Sequence, residues 1–427
     1  MESDLIRLAN EPGFKRWRHQ IERIAGCESP IYLGGVTDPA RRIAVKCRNR
    51  RRSRCAPCAH LHGGDSYQIV RSGAIGGKGV PVTVVAHPQI FATLTAPSFG
   101  SVHSSACRKR KTSGCCRHGV ALSCELLHNG DDQLIGTPLC GECYDYVGHA
   151  LWHAHAGELW NRTVRNVRRI LAESLGVKRD RLNEYVLLSF VKVAEYQKRG
   201  AVHFHSIMRL DGPAGPDSSP PETVTAEMLI GALAEAIECT LVHLEDNPAV
   251  GSGVFKWGRQ SDVREVERGE KGDSVSAESV VSYLAKYVSK SVGDAGGVDS
   301  PIRSYEEIRC ATATPHFRAL MGACWRLGAI AEFAKLRLRA WAHTLGYRGH
   351  VLTKSPSYST TYGRLRQVRA EFMRACYAEG GTPHDVGESP VWRYVGRGYT
   401  PAEAEVARGV REDLEEIRRL RRWAADE

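Results

Sequence analysis

The stretch that decides the reading is "KRGAVHFHSIMRL", residues 198–210. Its alternation of apolar and polar residues is that of a β-strand, whose side chains point to opposite faces in turn. His203 and His205 therefore share one face, and Val202, Phe204 and Ser206 share the other. Each imidazole carries a nitrogen that needs a partner, so two on one face are costly unless something satisfies them. Either the strand is half exposed and the histidines are incidental, or the pair ligates a metal.

Upstream, "EYVLLSFVKVAEY" is strongly β-type and is joined to the histidine run by "QKRG", which predicts a hairpin. Parity then governs which upstream side chains share the face of the histidines. A hairpin loop of three or five residues brings Glu195 onto the face of His203, whereas a loop of four does not. Gln197 is the alternative.

The rest of the chain reads coarsely. The first hundred residues are irregular, basic and glycine-rich. "VPVTVVAHPQIFATLTAP" is a strand region centred on Phe91 to Thr95, and a polar, cysteine-rich stretch follows. A helix runs from about Tyr146 to Gly176, and "VTAEMLIGALAEAIECTLVHL" is another. "GVFKWGRQSDVREVE" reads as a strand, and "SAESVVSYLAKYVSKSVG" as a helix with Ser276 as its N-cap. After Pro301 the pattern is mostly helical.

On that last helix before Pro301, Val281, Leu284, Ala285, Val288 and Val292 form one apolar stripe at about 100° per residue. Tyr283 and Tyr287 lie off the stripe, flanked by Lys286 and Lys290. An exposed amphipathic face would account for them. Two tyrosines and two lysines on one face also suit phosphate chemistry. A phenol oxygen can act as a nucleophile, and nearby ammonium groups favour the phenolate.

The chain has 427 residues, 42% hydrophobic and 25% charged, which is ordinary for a globular protein of two or three domains. A net charge of +11 suggests a polyanionic partner. No segment has the roughly 18 apolar residues of a membrane span, and the amino terminus does not read as a signal peptide. A cytoplasmic location without membrane contact is the expectation. Of 14 cysteines, ten lie at or before Cys143. In a reducing compartment such a cluster implies metal. Cys55-x2-Cys58 and Cys140-x2-Cys143 predict one structural Zn²⁺ site with four thiolates, with Cys47 as a competing ligand. Cys107, Cys115, Cys116, His118, Cys124 and His128 lie between the two knuckles. Cys107, Cys116, His118 and Cys124 are the favoured set for a second site. Cys239, Cys310, Cys324 and Cys376 read as packing residues. Arg50, Arg51 and Arg52, with Arg108, Lys109, Arg110 and Lys111, put cations beside the expected ligands and suit contacts to DNA phosphates.

The order "FATLT", "HFH", "YLAKYVSK" resembles the HUH endonucleases (histidine, hydrophobic, histidine) that initiate rolling-circle replication. More narrowly, "GGKGVP", "TLTAPSFG", "AGELW", "VAEYQKRGAVHFH" and "WGRQSDV" are similar to the RepSA-type replication initiators of actinobacterial plasmids and integrative elements. The resemblance covers most of residues 47–362. Conjugative relaxases generally place the tyrosine before the histidines, unlike this chain. The resemblance implies that His203, His205 and an acid, Glu195, hold catalytic Mg²⁺ or Mn²⁺. It implies that a tyrosine forms a 5′-phosphotyrosyl intermediate on single- and double-stranded origin DNA, with host helicase and polymerase as partners. Single-tyrosine relatives carry Glu at the first tyrosine position, which favours Tyr287 as first nucleophile and Tyr283 as second nucleophile or support.

The expected architecture is α+β. An HUH core with a central antiparallel sheet flanked by helices occupies 79–300 and carries a zinc-binding insertion at about 98–145. A basic segment with a zinc knuckle precedes it at 1–78, and a mainly helical region follows at 301–427. Two other functions compete. A non-catalytic zinc-dependent DNA-binding regulator leaves the histidines and tyrosines unexplained. A transposase- or relaxase-like HUH enzyme shares the chemistry.

Overall fold

Residues 187–196 and 202–211 pair as the expected hairpin, and the sheet grows outward from it. The computed structural model describes residues 2–38, 41–105, 114–124, 126–267, 275–288, 290, 292–379 and 391–426. In chain order the elements begin with α1 (Glu2–Ala9), α2 (Phe14–Arg23), β1 (Ile31–Gly35), β2 (Arg42–Val45), α3 (Ala56–Ile75), β3 (Gln89–Leu94), α4 (Tyr146–Ser174), β4 (Leu187–Tyr196) and β5 (Val202–Asp211). They continue with α5 (Ala226–Cys239), β6 (Val242–Leu244), β7 (Gly253–Phe255), β8 (Asp262–Glu267), β9 (Val275–Ser276), α6 (Ala277–Val288), α7 (Tyr305–Arg309) and α8 (Pro315–Leu327). Last come β10 (Leu352–Lys354), α9 (Tyr362–Glu379), β11 (Trp392–Arg397) and α10 (Pro401–Asp426). The fold is mixed α+β.

Two compact units emerge. One comprises 1–66 with 361–427, and the other 67–360. These units cut across the segments 1–78, 79–300 and 301–427, because 301–360 belongs with the sheet. The larger unit is built on a six-stranded sheet of order β10-β4-β5-β3-β8-β9, antiparallel except for β8 and β9. Alternation gives the sheet two apolar faces. Ala194, Val202, Phe204, Met208 and Leu210 face a core shared with α4, α5 and α8. Val191, Val193 and Ile207 face a second core with Val70 and Ala74 of α3 and Val280, Val281, Leu284 and Val288 of α6. The helix that carries the tyrosines therefore covers the same sheet face that carries the histidines. The smaller unit has a three-stranded sheet, β11-β1-β2, and its core contains Ile21, Ile24, Ala407 and Val410.

Several expectations are corrected. The first hundred residues are not irregular: α3 runs for 20 residues despite Gly63, Gly64 and Gly73. Burial of Ile69, Val70 and Ala74 outweighs the roughly 1 kcal/mol that each glycine costs a helix. The helix expected to reach residue 244 stops at Cys239, and its last residues form β6. "GVFKWGRQSDVREVE" is two strands, because β7 pairs with β6 while β8 pairs with β3. The region after Pro301 contributes β10 to the main sheet, a three-residue strand too short to carry its own signal. Ser276 does cap α6, its hydroxyl accepting from the Ser279 amide at 3.2 Å. The helix ends at Val288, short of Val292. Cys324 is buried, but Cys239 and Cys310 are exposed, so these two are not packing residues. The side chain of Cys376 lies outside the described residues. Among the described residues, no helix is long and apolar enough to cross a membrane.

Candidate active site and metal-binding clusters

The site is assembled by strand register. Tyr196 pairs with Val202, which leaves a five-residue loop, and that parity sets Glu195 directly opposite His203. His205 pairs with Val193 on one side and with Thr93 of β3 on the other. His205 Nε2 lies 3.0 Å from Glu195 Oε2, and its Nδ1 lies 3.0 Å from Thr93 Oγ1. Both nitrogens of this almost fully buried ring are thus held, and its plane is set. His203 differs. Its Nε2 is buried and has no hydrogen-bond partner. Burial, followed by the neighbouring His205 and Arg199 charges, lowers it to about 3, so the ring is neutral with a free lone pair.

The α6 tyrosines close over these rings. The centroid of His205 lies 5.2 Å from that of Tyr283 and 5.6 Å from that of Tyr287, and the two tyrosines are 4.8 Å apart. Phe91 of β3 supports both His205 and Tyr283. Although both tyrosines lie off the apolar stripe, both pack against His205, with Tyr287 half-buried and Tyr283 still 41% exposed. Burial, and then a hydrogen bond with Tyr287, pushes the Tyr283 phenol above its ordinary value. Lys290 sits 4.4 Å from the centre of the Tyr287 ring and 3.8 Å from Glu195 Oε1. Lys286 is on the exposed side of α6. The arrangement puts two imidazoles, a carboxylate, two phenols and an ammonium within one pocket-sized space. Gln197 instead lies in the turn, where its Oε1 accepts from Arg199 Nε at 2.8 Å.

For a divalent cation at this site, His203 is the deciding residue. Its orphaned buried nitrogen beside the His205–Glu195 pair offers an N, N, O donor set, which suits Mn²⁺ and admits Mg²⁺. These three are looser than the cysteine sets, and their ligand atoms do not all fall within 4.8 Å of one another. Thr93 was not anticipated. Only the cross-strand register reveals it.

The cysteines group differently from the expectation. Cys55 and Cys58 join Cys27 and Cys47, not Cys140 and Cys143. The Sγ–Sγ separations are 3.6 Å for Cys27–Cys58, 3.7 Å for Cys47–Cys58 and 3.8 Å for Cys27–Cys55. Four sulfurs about 2.3 Å from one Zn²⁺ stand about 3.8 Å apart at tetrahedral angles. Disulfide sulfurs stand about 2.0 Å apart. Thiol hydrogen bonds from Cys55 and Cys58 lower the Cys27 thiol below its ordinary value. Cys55 immediately precedes α3 and Cys58 lies in its first turn, where the Ala56 amide is capped by Glu28 Oε1 at 2.8 Å. Cys27 escaped the sequence reading because it has no CxxC partner. The second set is Cys116, His118, Cys140 and Cys143, with His118 Nδ1 3.4 and 3.3 Å from the last two sulfurs. Cys124 is not part of it and instead meets His103 and His128. Each CxxC is completed by ligands of its own unit. Cys107, Arg108, Lys109, Arg110 and Lys111 lie outside the described residues. Arg50, Arg51 and Arg52 lie between Cys47 and Cys55, with Arg52 exposed.

Comparison with known proteins gives one answer. The family described as replication initiator protein, pSAM2 (RepSA), matches residues 13–412. A curated replication initiator protein from Streptomyces ambofaciens is 38% identical over 451 aligned positions, covering 99% of this chain and 95% of that one. No solved structure matches.

Proposed function

The chain belongs to the RepSA family of replication initiator proteins, and on that premise we propose that it is an HUH-type DNA-nicking and strand-transfer enzyme that starts rolling-circle replication at a plasmid or integrative-element origin. The observation that carries this reading is the position of His205, which touches Glu195 and packs against both α6 tyrosines. His203, His205 and Glu195 would hold Mg²⁺ or Mn²⁺, which supplies Lewis-acid polarisation of the scissile phosphate. Thr93 holds the His205 ring at the angle its Nε2 needs. Tyr287 is the first nucleophile. Its oxygen bonds to phosphorus as the bond to the 3′-oxygen breaks, the phenolic proton is lost to solvent, and the leaving 3′-oxygen takes one up. The raised phenol of Tyr283 supports assigning it the later transfer. Lys290, between Glu195 and the Tyr287 ring, offers a positive charge for the phenolate.

The two four-ligand clusters are read as structural Zn²⁺ sites, closed by four protein ligands. Arg50, Arg51 and Arg52, together with the overall +11 charge, suit the phosphates of single- and double-stranded origin DNA. Arg108, Lys109, Arg110 and Lys111 are assigned the same role on sequence grounds. The freed 3′-hydroxyl would prime a host polymerase, with a host helicase opening the duplex.

The test is incubation of end-labelled single-stranded origin DNA with the protein and Mn²⁺. A covalent protein–DNA adduct is expected. It should vanish in the His203→Ala/His205→Ala double variant while duplex binding stays near normal. Full adduct yield from that variant at ordinary metal concentration overturns the assignment.

A further inference from the structure

We propose that His103, Cys124 and His128 form a third metal site, which takes Zn²⁺ and braces the cysteine-rich insertion against the turn between β4 and β5. The three donor atoms form a tight triangle. His103 Nδ1 lies 3.2 Å from Cys124 Sγ and 3.0 Å from His128 Nε2, and the last two are 3.1 Å apart. The other side of the His128 ring decides the chemistry. Its Nδ1 is 2.6 Å from Asp132 Oδ2. That carboxylate holds the ring proton on Nδ1, so Nε2 aims a lone pair into the triangle. A carboxylate behind a histidine, with a second imidazole and a thiol facing the same point, is the donor arrangement of a zinc site. The His128 side chain is only 1% exposed, and Cys124 is buried, so water does not satisfy these atoms. Ligand distances of about 2.0–2.3 Å would open the triangle by a few tenths of an ångström.

The location gives the site its role. The His103 amide donates to the Thr137 carbonyl, and the Gly136 amide donates to the His103 carbonyl, both at 2.9 Å. Gly136, at φ +88°, packs its backbone directly on that of Lys198 and Arg199, where a Cβ would collide. Lys198 Nζ also donates to the Gly130 carbonyl. Residues 198–199 belong to the turn whose length sets Glu195 opposite His203. A cation at His103, Cys124 and His128 therefore fastens both ends of the segment that seats this turn.

The inference rests on donor geometry and not on the nuclease reading, so metal counting decides it whatever the adduct assay gives. Zinc per chain is measured by elemental mass spectrometry on the full-length protein purified under reductant. His128→Ala should hold one zinc fewer than wild type, and amide hydrogen exchange at residues 197–201 should become faster. An unchanged zinc count overturns the site. A lost zinc with unchanged exchange overturns the bracing role. Should His128→Ala misfold, Asp132→Asn leaves all three ligands in place. It should release one zinc to a competing chelator about 10–100-fold more readily than wild type, and an unaltered release curve overturns the proposal.

Discussion

Tyr283 and Tyr287 lie against the same imidazole in different surroundings, and the proposed division of roles between them can be tested. Replacement by Phe keeps each ring and its packing and removes only the oxygen. Tyr287→Phe should fold normally, bind DNA and form no adduct in the first cleavage. Tyr283→Phe should still nick once and fail mainly at the later transfer. Peptide mapping of the wild-type adduct on a single-turnover substrate checks the order, and phosphotyrosine found on residue 283 alone would reverse it. His153 on α4 illustrates a structural histidine of the opposite kind. Its Nδ1 donates to the Leu345 carbonyl at 2.8 Å, and its Nε2 accepts from the Val202 amide at 3.1 Å, one residue before His203. Burial lowers it to about 4, whereas the unfolded imidazole titrates near 6.5. Between those values the unfolded chain binds more protons. Stability is therefore complete above about 6.5 and falls as pH drops through the window, by at most about 1.4 kcal/mol per pH unit for this one group. Urea unfolding at pH 6.5 and pH 5 should show a smaller loss for His153→Gln than for wild type. Equal losses would remove His153 from the account.

Among the elements, α3 tests how packing overrides propensity. Gly73 lies flat against the Tyr358 ring, so closely that an added Cβ would enter it. Tyr358 is fully buried, and its hydroxyl donates to the Val70 carbonyl at 3.1 Å. Gly64, on the same helix, has nothing within 4 Å of where a Cβ would stand. Gly64→Ala should therefore stabilise by about 0.5–1 kcal/mol, as alanine does in an open helix. Gly73→Ala should destabilise by about 1–3 kcal/mol, as overpacking does. Thermal unfolding of both variants measures this, and two shifts of the same sign would contradict it. The β4–β5 hairpin and α6 were legible in the sequence because alternation and the 3.6-residue period are strong over ten or more residues. Helix α3 was not legible, because its glycines and mixed faces hide the period that burial later enforces. The short β6 and β10 exist only because a neighbouring strand supplies their hydrogen bonds.

At the scale of the whole molecule, the two four-ligand cysteine clusters stand in separate units, and the one containing Cys27 is built into the core of its unit. If the Cys27 cluster holds the proposed Zn²⁺, its binding and the folding of the smaller unit should be coupled. Cys27→Ser should lose the same zinc as Cys55→Ser and lower the melting temperature of that unit sharply. Cys140→Ser should remove a different zinc and leave the Cys27 set filled. Zinc counting on single and paired variants checks this: Cys27→Ser with Cys55→Ser should lose no more than either alone, whereas Cys27→Ser with Cys140→Ser should lose two. A Cys55→Ser variant that also emptied Cys140 and Cys143 would restore the grouping read from the sequence.

The residue types, their local spacing and the elements that carry them were set by the sequence alone. These include the histidine strand, the tyrosine helix with its cap, the clustered cysteines and the basic charge. All are local properties, read within a strand, a helical turn or a CxxC. Tertiary structure decided what is non-local. Cross-strand register put Glu195 opposite His203 and Thr93 on His205. The packing of α6 turned two off-stripe tyrosines toward the histidines. Packing within each unit, and not nearness along the chain, chose which cysteines meet. Closing a loop adds cost only slowly with its length, so a distant residue such as Cys27 competes with a near one, and buried contacts settle which is taken.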